Sequence, residues 1–149
     1  MTFNRKPAQD SGYLLWQISN IWQRQINELL SEYKITHVQY LLLATIIWME
    51  EQGMSINQNN LARQASSHKM MTSKVLRSLE REGYISRQDN PRDTRSKLIS
   101  LTYSGKQKFL EVKQLFESED RKFFGKLERN RFSLNKVFSD LLEETRAIA

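Results

Sequence analysis

The positive charge of this chain is concentrated in one short stretch. The 149 residues include 23 Lys and Arg and 17 Asp and Glu, a net charge of +6, and residues 63–97 alone hold nine basic and four acidic side chains. About a quarter of the chain therefore carries nearly all of the excess positive charge. A concentrated basic region is the electrostatic footprint of a surface that binds a polyanion such as nucleic acid. A basic surface that contacts only solvent is the alternative interpretation of the charge alone.

Within this stretch, the spacing of Thr72, Val75, Leu76 and Leu79 predicts a helix over about 68–82 with one buried side. Lys or Arg on the opposite side can donate to guanine O6 and N7, Ser to phosphate oxygens, and an apolar side chain can contact a thymine methyl group. Methionines usually fill protein cores. The four residues named above already occupy the buried side of this helix, so its two methionines cannot both lie there, and we expect at least one of them to face DNA. The predicted DNA contacts of the helix are Lys69, Met70, Met71, Ser73, Lys74 and Arg77.

A β-hairpin is predicted after this helix. Residues 84–87 and 98–101 resemble short strands, and the polar segment 88–97 between them contains the turn signal Asn90-Pro91. The pattern predicts a hairpin with a long, basic tip. Arg92 and Arg95 in this tip are predicted to enter a minor groove, where a narrow A/T-rich groove attracts arginine. A flexible, solvated loop is the alternative.

The remaining elements are mostly helical. Apolar residues at steps of three and four predict a first helix, capped by Asp10 or Ser11, and an almost entirely apolar second helix. The second helix opens with a capping box at residues 36–39 and ends at Gly53. A strand fragment at 54–56 and a short helix capped by Asn57 follow, and Ser66-Ser67 breaks the pattern before the 68–82 helix, which ends at Gly83. Two last helices are predicted, with Thr102 and Ser133 as their caps.

The predicted fold is mainly α with a small β-hairpin, in the order α-α-β-α-α-β-β-α-α. A short helix, a tight polar turn, a second helix and a hairpin form the winged helix-turn-helix arrangement, whose second helix fits a major groove. We expect one domain over 1–149, with the helix-turn-helix at about 57–82 and the wing at about 84–101.

Other chemistries find little support in the sequence. The chain has no Cys, which excludes a disulfide scaffold, a thiolate zinc site and cysteine oxidation sensing. His37 and His68 are far apart and make a weak case for a metal, and no phosphate loop or HExxH motif occurs. We therefore expect no enzyme, cofactor or metal. The polar start of the sequence and the short apolar runs predict a cytoplasmic protein without a signal peptide or membrane span. Core or dimer-interface packing is a better prediction than a ligand cage for the three tryptophans, Trp16, Trp22 and Trp48.

The sequence resembles the MarR family of bacterial transcription regulators. Residues 61–62, 75–76 and 79–87 are similar to the family's helix-turn-helix and first wing strand, and residues 89–102 are similar to its wing, including the Asp-x-Arg element at Asp93 and Arg95. The sequence departs from the family at Ser66, where Gly is frequent, and at Met70-Met71, where small hydroxyl residues are frequent.

This resemblance implies a homodimer that binds a pseudo-palindromic operator in double-stranded DNA. The helices at 10–35 and 103–149 would form the dimerisation part, and 36–102 the winged helix-turn-helix part that binds DNA. The resemblance also implies a repressor that is released by a small, often aromatic, ligand, and a role for Asp93 in orienting Arg95. A winged-helix module that binds proteins and no specific DNA is the alternative function.

Overall fold

A computed structural model describes residues 10–148 and shows a mainly helical fold with one antiparallel hairpin. Contacts divide the chain into two compact units; the first ends at Gln114 and the second begins at Leu115, within α5. The elements are α1 Ser11–Ser31, α2 His37–Glu51, α3 Gln58–Gln64, α4 Lys69–Arg81, β1 Ile85–Asn90, β2 Asp93–Leu101, α5 Tyr103–Gly125 and α6 Asn130–Ile148.

The predicted caps fix the starts of α2 and α3, whereas no side chain caps the start of α1 or α4. Thr36 and Gln39 exchange hydrogen bonds at the start of α2, where the Gln39 amide donates to Thr36 Oγ1 (3.2 Å) and the Thr36 amide donates to Gln39 Oε1 (2.9 Å). Asn57 and Asn60 form the same reciprocal pair at the start of α3. Each pair satisfies two backbone amides that the helix itself leaves without acceptors. Asp10 occupies the cap position of α1, but its side chain makes no capping hydrogen bond there.

The core of the first unit is built around α2, as its apolar sequence predicts. Leu43, Ile46 and Met49 of α2 are fully buried. The helix contacts α1, α3, α4 and β2. Leu61 of α3 and Leu76 of α4 are also fully buried, so the two helices of the helix-turn-helix are fixed by the same core. A helix that is apolar on most of its circumference is favoured at the centre, because that position buries most of its faces. Leu41 and Trp48 of α2 nevertheless stay exposed.

The turn between α3 and α4 tolerates the serine that replaces the frequent glycine. Ser66 has a φ of +50°, in the left-handed region that favours glycine. Its backbone amide donates to the Arg63 carbonyl (3.2 Å), and the Ser67 amide donates to the Ala62 carbonyl (2.8 Å). The turn is therefore closed by backbone hydrogen bonds.

The hairpin is paired much further toward its tip than the sequence predicts. β1 and β2 pair continuously from Ile85 opposite Leu101 to Asp89 opposite Lys97. After a register shift, Asn90 lies opposite Asp93, so residues 94–96 have no opposite residue in β1, and Pro91 and Arg92 connect the strands. The predicted long loop over 88–97 is wrong. The segment lacks the alternation of apolar residues that marks a half-buried strand, because this part of the ladder lies outside the core. Backbone hydrogen bonds and cross-strand pairs such as Lys97 with Asp89 (3.3 Å) hold it instead.

The predicted strand at 54–56 is also wrong. The described sheet contains two strands, β1 and β2. Ile56 contributes one backbone hydrogen bond, which its carbonyl accepts from the Ile99 amide (2.8 Å), and its side chain is buried. A three-residue segment followed directly by a helix cap is too short to continue the ladder. It nevertheless fastens β2 to the helical core, as does Glu50, whose carboxylate accepts from the Leu101 amide (3.0 Å).

The start of α5 is fastened to the end of the helix-turn-helix. Thr102 caps α5 by accepting from the Gly105 amide (3.0 Å), and its hydroxyl donates to the Gly83 carbonyl (2.6 Å). Gly105 passes so close to the strand that an added Cβ would overlap the Tyr84 carbonyl oxygen. Thr102 and Gly105 therefore hold α5 against the base of the hairpin. Gly53 and Gly83 follow the ends of α2 and α4 with positive φ, as predicted.

The second unit contains the end of α5 and α6. The predicted cap at Ser133 is wrong, because α6 begins at Asn130 and places Ser133 inside the helix. Consecutive amides at Asn130 and Arg131 donate to the Leu127 and Glu128 carbonyls, so the chain already turns helically before Ser133. Within the second unit five large apolar side chains of α6 are exposed, namely Phe132, Val137, Phe138, Leu141 and Leu142, and Leu134 is half-buried.

Candidate nucleic-acid interface

The outer face of α4 presents the side chains that the sequence predicts. Thr72, Leu76 and Leu79 are fully buried on the inner side. Met70 and Met71 are 78% and 50% exposed, so both methionines, rather than one, stand outside the core. The structure places Ser73 half-buried beside them and leaves the basic side chains exposed, which are Lys69, Lys74 and Arg77.

The basic side chains of this face are not neutralised by the protein itself. Among residues 10–148, Lys69, Lys74 and Arg77 form no ion pair within 4.0 Å. Three exposed, uncompensated cations on one helix are what a polyanion attracts. The neighbouring methionines add an apolar surface that can contact a thymine methyl group.

Arg95 on the hairpin is highly exposed and lies beside Asp93. The side chain of Arg95 is 92% exposed, and its Nε lies 3.4 Å from Asp93 Oδ1. The same carboxylate oxygen accepts from the Arg95 backbone amide (3.0 Å). Asp93 therefore constrains both the backbone and the guanidinium of Arg95. Arg92 is exposed in the turn, where its backbone amide donates to Asn90 Oδ1 (3.0 Å).

An ion pair joins the hairpin to α4, and sequence reasoning missed it. Arg87 of β1 donates through Nε and Nη2 to both carboxylate oxygens of Glu80, each at 3.2 Å. The hydrogen bonds from Arg87 lower the pKa of the Glu80 carboxyl. The opposite charges flank the helix-ending Gly83, which is the signal that sequence reasoning could have used. A two-pronged Arg–carboxylate contact fixes an angle as well as a distance, so it orients the wing relative to α4.

The wing and the start of α3 enclose a basic groove of about 380 Å³. Gln58 and Asn59 line it from α3, a contribution that sequence reasoning also missed. Their amides are able to donate hydrogen bonds to phosphate or base edges. The groove brings them together with Asn57, Arg87, Arg95, Ser96, Lys97 and Ile99.

A second groove, of about 320 Å³, lies between α2 and α5 within the first unit. We call it the α2–α5 groove, and its lining is Ala44, Ile47, Trp48, Glu51, Lys106, Phe109, Leu110 and Lys113. Trp48 is 45% exposed there, and Trp16 on α1 is 59% exposed, so neither is a core residue of the single chain. Trp22 packs with its ring edge against His37, at 5.8 Å between ring centres. Packing of Trp16 or Trp48 at a dimer interface remains a prediction.

In the part of the chain that the structure describes, no three His, Cys, Asp or Glu side chains are grouped so that they could hold a metal ion. No helix over residues 10–148 is both long and apolar enough to cross a membrane.

Comparisons with known proteins place the chain in a family. Residues 35–97 match the model of the MarR family. An uncharacterized HTH-type transcriptional regulator of Bacillus subtilis, YdcH, is 39% identical over 118 residues, which are 79% of this chain and 80% of YdcH.

Solved structures agree with this assignment. The chain is similar to Staphylococcus aureus MepR in a complex with DNA, at 25% identity and a TM-score of 0.79, over 91% of this chain and 98% of MepR. AbsC of Streptomyces coelicolor, a MarR family transcriptional regulator, shares the fold with a TM-score of 0.79 at 18% identity, over 99% of both chains. The winged helix-turn-helix fold is therefore confirmed, and the chain belongs to the MarR family of transcriptional regulators, which are DNA-binding proteins and not enzymes.

Proposed function

We propose that this protein is a homodimeric repressor that binds a pseudo-palindromic operator and is released by a small ligand. The observation that carries the proposal is the outer face of α4, where three exposed cations have no acidic partner among residues 10–148. The similarity to MepR, whose structure contains DNA, supports the same face as the DNA contact. We assign base and phosphate contacts to Lys69, Met70, Met71, Ser73, Lys74 and Arg77, and minor-groove contacts to Arg92 and Arg95, oriented by Asp93.

A second copy of the chain is the proposed partner of the exposed apolar helices. On α1, Leu15 is 56% and Trp16 59% exposed; on α6, Phe132 is 83% and Leu141 58% exposed. Apolar surface of this extent favours burial against another protein surface. We propose that residues 10–35 and 103–149 form the dimerisation part and 36–102 the DNA-binding part, with an interface larger than about 2,000 Å². Light scattering at micromolar concentration should give about twice the 17.7 kDa mass of one chain.

The α2–α5 groove is the proposed place for an aromatic effector. Trp48 and Phe109 offer aromatic surface, and the charged side chains of Glu51, Lys106 and Lys113 line the same groove. It joins α2 of the proposed DNA-binding part to α5 of the proposed dimerisation part. A ligand bound here would therefore act on how these two parts are connected, which suits a molecule that releases DNA.

Selection of genomic binding sites with the purified full chain tests the function. We expect an enriched palindrome with half-sites about 10 bp apart, and an affinity that falls with salt at a slope of about −0.9 per phosphate neutralised. Equal affinity for all sequences of one length would contradict a specific regulator and favour the protein-binding module instead. Operator binding of this kind would place the protein in the cytoplasm, where the bacterial chromosome lies.

A further inference from the structure

The two exposed methionines of α4 carry sulfur atoms that are chemically reactive as well as apolar. Met70 is 78% and Met71 50% exposed, whereas Met54, between α2 and α3, is 39% exposed and Met49 of α2 is fully buried. The 149 residues include no cysteine, so thioethers are the side chains of this sequence that two-electron oxidants attack most readily. Exposure to solvent largely decides which sulfur reacts. The order of exposure therefore predicts that the α4 methionines are oxidised first.

A sulfoxide at either position would change what α4 offers to DNA. Oxidation turns a flexible apolar side chain into a polar one, so the contact with a thymine methyl group is lost. The new oxygen is a hydrogen-bond acceptor, and Lys74 lies four residues after Met70 and three after Met71, on the same side of the helix. Lys74 forms no ion pair among residues 10–148. Its ammonium group is therefore available to donate to the sulfoxide instead of to DNA.

The core beneath the two methionines does not depend on their sulfur atoms. The inner side of α4 packs through Thr72, Leu76 and Leu79, which are fully buried. Met70 and Met71 stand outside this packing, so their sulfoxides bring no polar group into the core. Sulfoxides at these two positions should therefore act on DNA binding and leave the stability of the fold almost unchanged.

We propose that Met70 and Met71 form an oxidation site at which a hypohalous acid abolishes operator binding. The sulfur gives an electron pair to the chlorine of hypochlorous acid, and hydroxide leaves. Water then attacks the sulfur, chloride leaves, and two protons are released, one of which neutralises the hydroxide. The net products are a sulfoxide, a proton and a chloride ion: sulfur has lost two electrons and chlorine has gained them. The effect on the operator rests on the proposed function, whereas the preferential oxidation of this pair does not.

Peptide mapping of the full chain after graded treatment with hypochlorous acid, with no DNA present, tests the site. Trypsin leaves both α4 methionines in the peptide 70–74 and places Met54 in the peptide 35–63, where fragment masses distinguish it from Met49. At about one equivalent of oxidant per chain, sulfoxide in the peptide 70–74 should exceed sulfoxide at Met54 at least about threefold, and Met49 should remain a thioether. Equal oxidation of Met54 would overturn the assigned site.

The operator obtained by site selection should protect this pair. DNA added before the oxidant should slow sulfoxide formation in the peptide 70–74 at least about fivefold, because the sulfurs then face the major groove. Met54 should react at the same rate with and without DNA. Oxidation of the α4 pair that is as fast on the operator as in free protein would overturn the link between this site and DNA binding.

Two variants show whether these sulfurs cause the loss of operator affinity. Each protein is compared with itself, as the ratio of its operator affinities before and after treatment. Wild type should lose at least about tenfold, and Met54→Leu, the matched control, should lose as much. Met70→Leu combined with Met71→Leu has no sulfur on α4 and should lose less than about twofold, whatever its affinity before treatment. A loss in this double variant as large as that of wild type would place the damage at another residue and overturn the proposal.

Reversal separates sulfoxide formation from unfolding. Methionine sulfoxide reductases, one for each sulfoxide epimer, should restore the operator affinity of the oxidised wild type to within about twofold, and its melting temperature should stay within a few degrees of the untreated protein. An affinity that the reductases do not restore, or a melting temperature that falls with the affinity, would overturn the proposal. Failure to select any operator would contradict the proposed function, whereas the peptide mapping would still decide the oxidation site.

Discussion

The outer face of α4 and the β1–β2 hairpin both carry basic side chains, but they differ in what those side chains contact. On α4, Lys69, Lys74 and Arg77 form no ion pair among residues 10–148. On the hairpin, three basic side chains each pair with an acid, namely Arg87 with Glu80, Arg95 with Asp93 and Lys97 with Asp89. The helix therefore offers available charge, whereas an acid positions three of the four basic side chains of the hairpin, all but Arg92.

Under the proposed function, the two regions contribute to DNA binding through different energetic terms. An unpaired cation on a helix gains the full interaction with a phosphate or a base edge. A cation that is already paired with an acid gains less interaction free energy from DNA, because the acid competes for it. It also loses less side-chain freedom when DNA binds. We therefore expect larger losses from removing α4 cations than from disturbing hairpin pairs.

The largest effect should come from Lys74→Ala combined with Arg77→Ala. Each lost base contact should cost about 1–3 kcal/mol on the operator and relax the preference at one base pair per half-site. A contact to phosphate should instead weaken all sequences alike and reduce the salt slope by about one. Binding to a panel of single-base operator variants at two salt concentrations distinguishes the two kinds of contact.

A matched control for the double variant is Lys122→Ala with Arg129→Ala. It removes two positive charges from exposed positions in the second unit. This control should keep the base preference and the salt slope of wild type. If it loses as much affinity as the α4 variant while light scattering still gives the mass of a dimer, net charge rather than the α4 face governs binding, and the distinction between helix and hairpin fails.

Arg95→Ala should follow in size. The arginine is predicted to favour a narrow minor groove without reading individual bases, so the loss should extend to all sites and be greatest where the flanking sequence is rich in A and T. Binding to operators with exchanged flanks measures this dependence. Affinity equal to wild type on every flank would show that the wing does not contact DNA through Arg95.

Arg87→Gln tests whether the ion pair to Glu80 sets the wing's position. The variant leaves Glu80 without its two-pronged partner. The Glu80 side chain is 43% and the Arg87 side chain 20% exposed, so solvent screens this ion pair and it contributes little to stability. We expect a melting temperature within a few degrees of wild type but an operator affinity lower by several fold. The companion variant is Glu80→Gln, which retains an acceptor for Arg87 and removes one negative charge from the chain. Simple electrostatics predicts a loss with Arg87→Gln but a rise with Glu80→Gln, whereas a role in positioning the wing predicts a loss with both. A rise in affinity with Glu80→Gln would therefore mean that the pair only withholds charge.

The sequence predicted the helices of the first unit well because their caps and buried faces are local signals. The capping box at Thr36 and the cap at Asn57 lie within three residues of their partners, and the inner side of α4 follows helical spacing. The hairpin was predicted less accurately, because its outer ladder lies outside the core and lacks an apolar pattern. Contacts between elements far apart in the sequence were missed because no local pattern indicates them. Lys74 and Val38, for example, line one groove from different helices.

In the candidate site, too, the features with a local sequence signal could be predicted, and the contacts between distant elements could not. The exposed side of α4 could be predicted, because fixing Leu76 and Leu79 inward also fixes which residues point outward. The pair between Glu80 and Arg87 depends on the turn at Gly83 and on the direction of β1, which no periodic signal specifies. Gln58 and Asn59 approach the wing only because Ile56 and Ile99 join the start of α3 to β2.

Asp93→Asn should have the smallest effect on operator affinity. Whether the affinity rises or falls is nevertheless the most direct test of how the hairpin differs from α4. Asn Oδ1 can still accept from the Arg95 amide, as Asp93 does at 3.0 Å, so the hairpin backbone should keep its shape. The guanidinium loses its charged partner, and the protein gains positive charge. Simple electrostatics therefore predicts tighter binding to any DNA, whereas an orienting role for Asp93 predicts weaker binding to the operator.

We expect the operator affinity of Asp93→Asn to fall by a few fold while its affinity for unrelated DNA rises slightly. The measured quantity is the ratio of the two affinities at one salt concentration. Asp89→Asn is the control, because it makes the same charge change on the hairpin at the partner of Lys97, and it should raise both affinities together. If Asp93→Asn behaves like Asp89→Asn, the acid beside Arg95 merely reduces the charge of the wing, and the hairpin differs from α4 in net charge alone.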